Sequence, residues 1–172
     1  MKTTLPDNRS RFPILLIEDS EPDAQIFETA LKQASARAQI YWVATAAEGL
    51  EFLRRNGRFR DVGPAQLVVL DLHLGGENGF DALRQIKSDP ELCRTPVVML
   101  TSSTHQNDVD LAYSLGANAY FKKPMTLESY IEQVRVLVHH WLDLALLPSP
   151  VRSERGSLGI HRRSRIPEET GI

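Results

Sequence analysis

The chain has 172 residues, of which 42% are hydrophobic and 24% are charged, with a formal net charge of -2 at pH 7. These values are typical of one globular domain with a core, and they exclude a fibrous or wholly disordered chain. The slightly negative charge gives no support to nucleic-acid binding through a basic field, so we do not expect DNA binding. Cys93 is the single cysteine, which excludes an intramolecular disulfide. We find no signal peptide or membrane span and therefore expect a cytoplasmic protein.

Apolar strand-like segments alternate with amphipathic helix-like segments along the chain. Strands are expected at residues 14–17, 40–43, 67–70, 95–101 and 118–121. Helices are expected at residues 21–37, 46–56, 107–115 and 127–144, and a further one starts near Phe80 and stops at Asp89 and Pro90. This alternation predicts an α/β fold with a doubly wound, five-stranded parallel sheet and helices on both faces.

The third strand delivers Asp71 to its C-terminal end, directly before a segment rich in glycine. Taken alone, this aspartate is equally well explained as a helix cap or as part of a binding pocket at the sheet edge. The residues at the ends of the other strands decide between a helix cap and a binding pocket. Polar side chains end four of the five strands: Glu18 with Asp19, Asp71, Thr101 and Lys123.

Because parallel strands share one C-terminal edge, these polar groups are expected to meet in one pocket. Three crowded carboxylates repel one another unless a cation joins them, and carboxylate oxygens suit magnesium. Lysine and threonine can bind phosphate oxygens, so the set indicates phosphoryl transfer with Asp71 as the nucleophile. We also expect a cis Lys123–Pro124 peptide that directs Lys123 into the pocket.

Glu18 with Asp19, Asp71, Thr101 and Lys123 followed by Pro124 resemble, in this order, the receiver domain of two-component response regulators. The resemblance covers about residues 12–147 and implies a flavodoxin-like (βα)5 fold. It implies that Asp71 accepts a phosphoryl group from a sensor histidine kinase, and that the chain is a signalling protein rather than an enzyme.

The same resemblance implies the roles of the other site residues. Magnesium would be held by Glu18, Asp19, Asp71 and the backbone carbonyl of His73. Phosphoryl oxygens would be bound by Thr101 and Lys123, and Tyr120 matches the aromatic switch that moves with the threonine. The chain departs from the family pattern at Gly75, where a proline is usual, and at Glu18, where aspartate is commoner.

A narrower resemblance points to the single-domain regulators that serve phytochrome-type histidine kinases, and bacteriophytochromes are the expected partners. It rests on four groups of residues: 86–90, 95–102, 115–118 and 141–142 with 147–148. A downstream histidine phosphotransfer protein is a further candidate partner.

The last predicted helix carries more apolar residues than one stripe needs. Four of them lie beside the main apolar face: Tyr130, Leu137, Trp141 and Leu144. They form either a wide core face or a surface for a partner, and we expect a homodimer through them.

The remaining segments are expected to carry no second domain. Residues 1–11 are expected to be a flexible N-terminus, and residues 148–172 a tail or an exchanged arm. The tail is too short for a DNA-binding output module with its own core.

Two other functions remain open for the same residues. A magnesium-dependent phosphohydrolase would also use Asp71 as a nucleophile, although such enzymes want a second carboxylate where this chain has His73. A pseudo-receiver would act only as an interaction module, without phosphorylation.

Overall fold

The computed structural model describes residues 12–148, and our expectations for the N-terminus and the tail fall outside them. Strands β1 to β7 are Phe12–Ile17, Ala38–Val43, Leu67–Leu70, His73–Leu74, Glu77–Asn78, Val97–Thr101 and Ala119–Lys122. Helices α1 to α5 are Glu21–Ala34, Ala46–Leu53, Gly79–Ser88, Gln106–Ser114 and Leu127–His139. A 3-10 turn at Gly57–Phe59 and a wide π turn at His140–Leu144 complete the elements.

Five strands form one parallel sheet in the order β2-β1-β3-β6-β7. This confirms the predicted doubly wound α/β fold. Two short strands, β4 and β5, form an antiparallel hairpin that the sequence analysis did not predict. Each is two residues long, which is too short for a period of alternating polarity to be visible.

The sheet strands are buried on both faces, and successive residues serve opposite core layers. Leu15, Ile17, Val68 and Leu70 pack towards α2, α3 and α4. On the other face, buried residues of β1, β3 and β6 pack towards α1 and α5. Two apolar layers therefore hold the strand ends rigidly at one edge.

Helix α5 differs from its prediction in which residues it buries. Leu127, the first residue of the predicted helix, is 51% exposed, while Tyr130 and Leu137 are 5% and 2% exposed. Both belong to the core layer shared with α1, so assigning them to a dimer surface is wrong. Trp141 is half-buried and Leu144 is exposed, and these two are the members of the predicted surface that a partner can reach.

None of the helices in residues 12–148 is both long and apolar enough to cross a membrane.

Candidate functional site

The site begins where two neighbouring parallel strands end. Ile17 of β1 pairs with Leu70 of β3, and the amide of Asp71 donates to the oxygen of Ile17 at 3.0 Å. The amide of Glu18 donates to the oxygen of Val43 at 3.0 Å. These backbone hydrogen bonds continue the sheet by one residue and bring the carboxylates that follow to the same edge.

Glu18, Asp19 and Asp71 form the acidic cluster. One oxygen from each lies within 4.8 Å of the others. Glu18 and Asp71 are buried, with 2% and 6% of their surface exposed, while Asp19 is open to solvent. Three carboxylates, one of them open to water, form a set of hard oxygen ligands that suits a divalent cation.

The turn between β4 and β5 leaves room beside this cluster. Gly75 has a φ of +57°, and a Cβ there would lie 3.3 Å from Oδ2 of Asp19. A side chain at residue 75 would therefore press on the exposed carboxylate. The residues present fit a cation, both in their chemistry and in the space around Asp19.

Lys123 reaches the cluster from β7, on the far side of the sheet from β1. Its backbone amide donates to the oxygen of Thr101 at 2.7 Å, so the strand ladder continues to this residue. Its ammonium donates to Glu18 Oε2 at 2.6 Å and to Asp71 Oδ2 at 2.8 Å. The structure thus brings Lys123 to the predicted pocket.

The Lys123–Pro124 peptide is trans, because no cis peptide occurs within residues 12–148. Our expectation of a cis bond is therefore wrong. The strand pairing with β6 is sufficient to aim Lys123 at the carboxylates, and trans is the form that an X–Pro bond ordinarily prefers.

Asp23 is a member of the site that sequence reasoning missed. Its Oδ2 accepts the third hydrogen bond of the Lys123 ammonium at 2.7 Å. Asp23 lies in the first turn of α1, which starts at the same sheet edge, and its amide is capped by Ser20 Oγ. An acidic residue in a first turn is explained equally well by the helix dipole, so the sequence offered no separate signal for this contact.

The environment shifts two pKa values in this pocket. Burial raises the pKa of Glu18 to about 7, although the bond to Lys123 opposes the change. Burial alone would lower the pKa of Lys123, but its bonds to Asp23, Asp71 and Glu18 outweigh burial and raise it. Three carboxylates contact the Lys123 ammonium, and Asp19 lies beside two of them. This excess of negative charge favours an additional cation.

Thr101 and Tyr120 belong to a second network beside the cluster. The Thr101 side chain is fully buried, and its Oγ1 accepts a hydrogen bond from the amide of Ser103 at 3.4 Å. The Tyr120 hydroxyl donates to the backbone oxygen of Ser103 at 3.3 Å. The Ser103 hydroxyl donates to Asp108 Oδ2 at 2.5 Å. The loop after β6 is therefore held from both sides, by α4 and by β7.

His73 stands at the start of the β4–β5 hairpin. Its amide donates to Asp71 Oδ1 at 3.3 Å, while its side chain is exposed. The role of the His73 carbonyl as a metal ligand stays a prediction. The hairpin itself is anchored by Glu77, whose Oε2 accepts from the amide of Ala46 at 2.7 Å. Glu77 is a second supporting residue that the sequence analysis missed.

Comparison with known proteins places these features in context. The response regulator receiver domain model matches residues 14–135. Response regulator Rcp1 of a Synechocystis species is 32% identical over 136 residues, which cover 79% of this chain and 92% of Rcp1.

Solved structures match over a similar length. The phosphorylated cyanobacterial phytochrome response regulator RcpA matches with a TM-score of 0.77 and 32% identity, covering 81% of this chain and 99% of that chain. The Mn²⁺-bound form of Rcp1 matches with a TM-score of 0.75 and 31% identity, covering 80% of this chain and 99% of that chain.

Proposed function

Because the chain belongs to the response regulator receiver domain family, we propose that Asp71 accepts a phosphoryl group from a sensor histidine kinase. The observation that supports this most directly is the position of Asp71. Its buried carboxylate lies 2.8 Å from the Lys123 ammonium and within 4.8 Å of two further carboxylates. This is the combination of nucleophile, fixed positive charge and cation ligands that phosphoryl transfer needs.

Each side chain of the pocket has a role in the proposed reaction. A carboxylate oxygen of Asp71 attacks the phosphorus of a phosphohistidine, the P–N bond breaks, and the imidazole leaves. Lys123 and Thr101 bind the phosphoryl oxygens. Glu18 and Asp19, together with Asp71 and the carbonyl of His73, hold a magnesium ion. When bound, this ion neutralises the charge of the transferring group.

The proposed output is a change in the loop that follows β6. The Thr101 hydroxyl accepts from the amide of Ser103 at 3.4 Å, and its own proton can be donated to a phosphoryl oxygen on Asp71. Turning the side chain towards that oxygen changes the long contact with Ser103. Because Tyr120 bonds the same Ser103, movement of Thr101 is passed to Tyr120. The signal is thus a local bonding change that biases a surface between two states.

We propose a phytochrome-type histidine kinase as the phosphate donor and a single receiver domain, residues 12–147, as the acceptor. The support is the likeness to RcpA, which is a phytochrome response regulator, and to Rcp1. The proposal includes a downstream histidine phosphotransfer protein and no catalytic turnover beyond slow loss of the phosphate.

Intact mass after incubation with acetyl phosphate tests this function. Wild type should gain one phosphoryl group only when Mg²⁺ is present, and Asp71→Asn should gain none. Asp81→Asn is the matched control, because Asp81 is an exposed aspartate on α3 that pairs with Arg84. Rapid multiple turnover would instead indicate a phosphohydrolase, and no adduct under any condition would indicate a pseudo-receiver.

We propose a homodimer through apolar residues that lie near the C-terminal end of residues 12–148 and are reachable by a partner. Leu144 is 65% exposed and Trp141 is half-buried. Replacing both with serine should shift a dimer to a monomer in light scattering. If the wild type is a monomer at all concentrations, this part of the proposal fails.

A further inference from the structure

Asp23 differs from the other two acceptors of the Lys123 ammonium. Glu18 and Asp71 each give Lys123 one oxygen, and both also belong to the acidic cluster. Asp23 accepts at 2.7 Å and is not part of that cluster. Of these three carboxylates, Asp23 is therefore the one that stays available to Lys123 when a cation binds the cluster.

The ammonium and a divalent cation draw on the negative charge of the same two carboxylates, Glu18 and Asp71. Lys123 lies 2.6 Å from Glu18 Oε2 and 2.8 Å from Asp71 Oδ2, and its side chain is only 11% exposed. A cation that binds these carboxylates draws their charge away from the ammonium. A buried ammonium that loses its partners is costly, so it needs another acceptor nearby.

We infer that Asp23 is a positioning residue that holds Lys123 in the pocket while Glu18 and Asp71 bind a divalent cation. By accepting the ammonium, Asp23 lowers its competition for the cluster and so raises the affinity for the cation. It also keeps Lys123 beside Asp71, where the proposed function requires it. Asp23 acts through Lys123, and this inference rests on the proposed function of the site for its role in phosphoryl transfer.

The location of Asp23 suits this role. It lies in the first turn of α1, whose Ser20 cap and Pro22 fix the start of the helix, and α1 packs on the core layer shared with α5. Its side chain is about one-third exposed, with 35% of its surface open. The first turn of the helix therefore places the carboxylate beside Lys123, and the carboxylate stays partly hydrated while it accepts the ammonium.

A double-mutant cycle measures whether Asp23 acts through Lys123. Mn²⁺ affinity is determined by electron paramagnetic resonance for wild type, Asp23→Asn, Lys123→Met and the double variant. Asp23→Asn should weaken Mn²⁺ binding by about threefold to tenfold in the wild-type background, as expected for coupling between contacting charged groups. In the Lys123→Met background the same change should alter affinity by less than about twofold.

Glu21→Gln is the matched control for the loss of one negative charge. Glu21 lies in the same helical turn and pairs with Gln25 rather than with Lys123, so its replacement should leave the affinity unchanged. An equal loss with Asp23→Asn in both backgrounds, or no loss in either, would overturn the inference. The cycle is repeated with Asp23→Ala, and thermal melting of each variant verifies the fold.

The result can be read separately from the proposed function, because Mn²⁺ binding is measured without a phosphate donor. If wild type forms no phosphoryl adduct, the proposed function fails while the coupling is still measured. If the adduct forms normally and the cycle shows no coupling, only the role of Asp23 is rejected.

Discussion

The indole nitrogen of Trp42 donates a 2.7 Å hydrogen bond to the backbone oxygen of Glu18. Trp42 lies on the edge strand β2 and is 44% exposed. One side chain therefore connects solvent to the backbone of the acidic cluster. Its emission should respond to whatever the cluster binds.

We predict that Mn²⁺, a paramagnetic ion, quenches the fluorescence of Trp42. The protein contains two tryptophans, and the other, Trp141, follows α5 next to His140. Titration of Trp141→Phe should show the same quenching curve as wild type, while Trp42→Phe should show almost none. Strong quenching that persists in Trp42→Phe would place the cation elsewhere.

The second prediction concerns pH and the cation-free protein. Burial raises the pKa of Glu18 from an ordinary 4.5 to about 7, so the folded state holds this proton more tightly than the unfolded state. The contribution of this proton to the free energy of unfolding is fully present below about pH 4.5 and is lost as the pH rises through about 7.

Urea unfolding in EDTA at pH 5 and pH 8 measures this effect. The side chain in Glu18→Gln cannot ionise. The free energy of unfolding of this variant, relative to that of wild type, should therefore rise by about 2 to 3 kcal/mol from pH 5 to pH 8. If the difference in stability between Glu18→Gln and wild type is the same at pH 5 and pH 8, the prediction is wrong. Adding Mn²⁺ at pH 8 should reduce the difference, because the cation binds the ionised carboxylate.

The third prediction follows from the close approach of α3 to the strand that carries Asp71. A Cβ at Gly79 would lie 2.2 Å from the backbone oxygen of Asp71 and 2.9 Å from the Cα of Leu72. Gly79→Ala should therefore destabilise the fold by about 2 kcal/mol, since backbone cannot move aside cheaply. Chemical denaturation of Gly79→Ala and wild type measures this loss of stability.

Gly63→Ala serves as the control for Gly79→Ala. A Cβ at Gly63 meets nothing within 4 Å, and its φ is not positive. Its stability should equal that of wild type or rise slightly through lower entropy of the unfolded chain. Equal destabilisation by both changes would contradict the packing argument.

The fourth prediction concerns the loop between β6 and α4. The Ser103 hydroxyl donates to Asp108 at 2.5 Å, and the Ser103 backbone oxygen accepts from Tyr120 at 3.3 Å. Asp108→Ala removes the first of these restraints, so amide hydrogen exchange in residues 102–105 should speed up.

Asp110→Ala is the comparison for Asp108→Ala. Asp110 is exposed on the same helix, and within residues 12–148 its carboxylate accepts a hydrogen bond from Gln106 and has no bond to Ser103. Exchange in residues 102–105 should match wild type in this variant. Unchanged exchange in Asp108→Ala would mean that the contact with Ser103 does not restrain the loop.

Much of the fold and of the site was predictable because both depend on local pattern. The apolar runs before Glu18 and Asp71 identify buried parallel strands, and parallel strands must end at one edge. The same reasoning placed Lys123 in the pocket. Helix α1 was predicted to residue 37 but ends at Ala34, where Ser35 turns to an extended backbone.

The sequence by itself determined the order of strands and helices and the polar groups at the strand ends, since these follow from hydrophobic period and chain direction. Only the tertiary structure decided which side chains share the Lys123 ammonium, because Asp23 meets it across two elements 100 residues apart. It likewise decided that Tyr130 and Leu137 belong to the core. Apolar surface on a helix is visible in sequence, but the neighbour that covers it is not. Here α1 covers it, so Trp141 and Leu144 alone of the predicted surface are left for a partner.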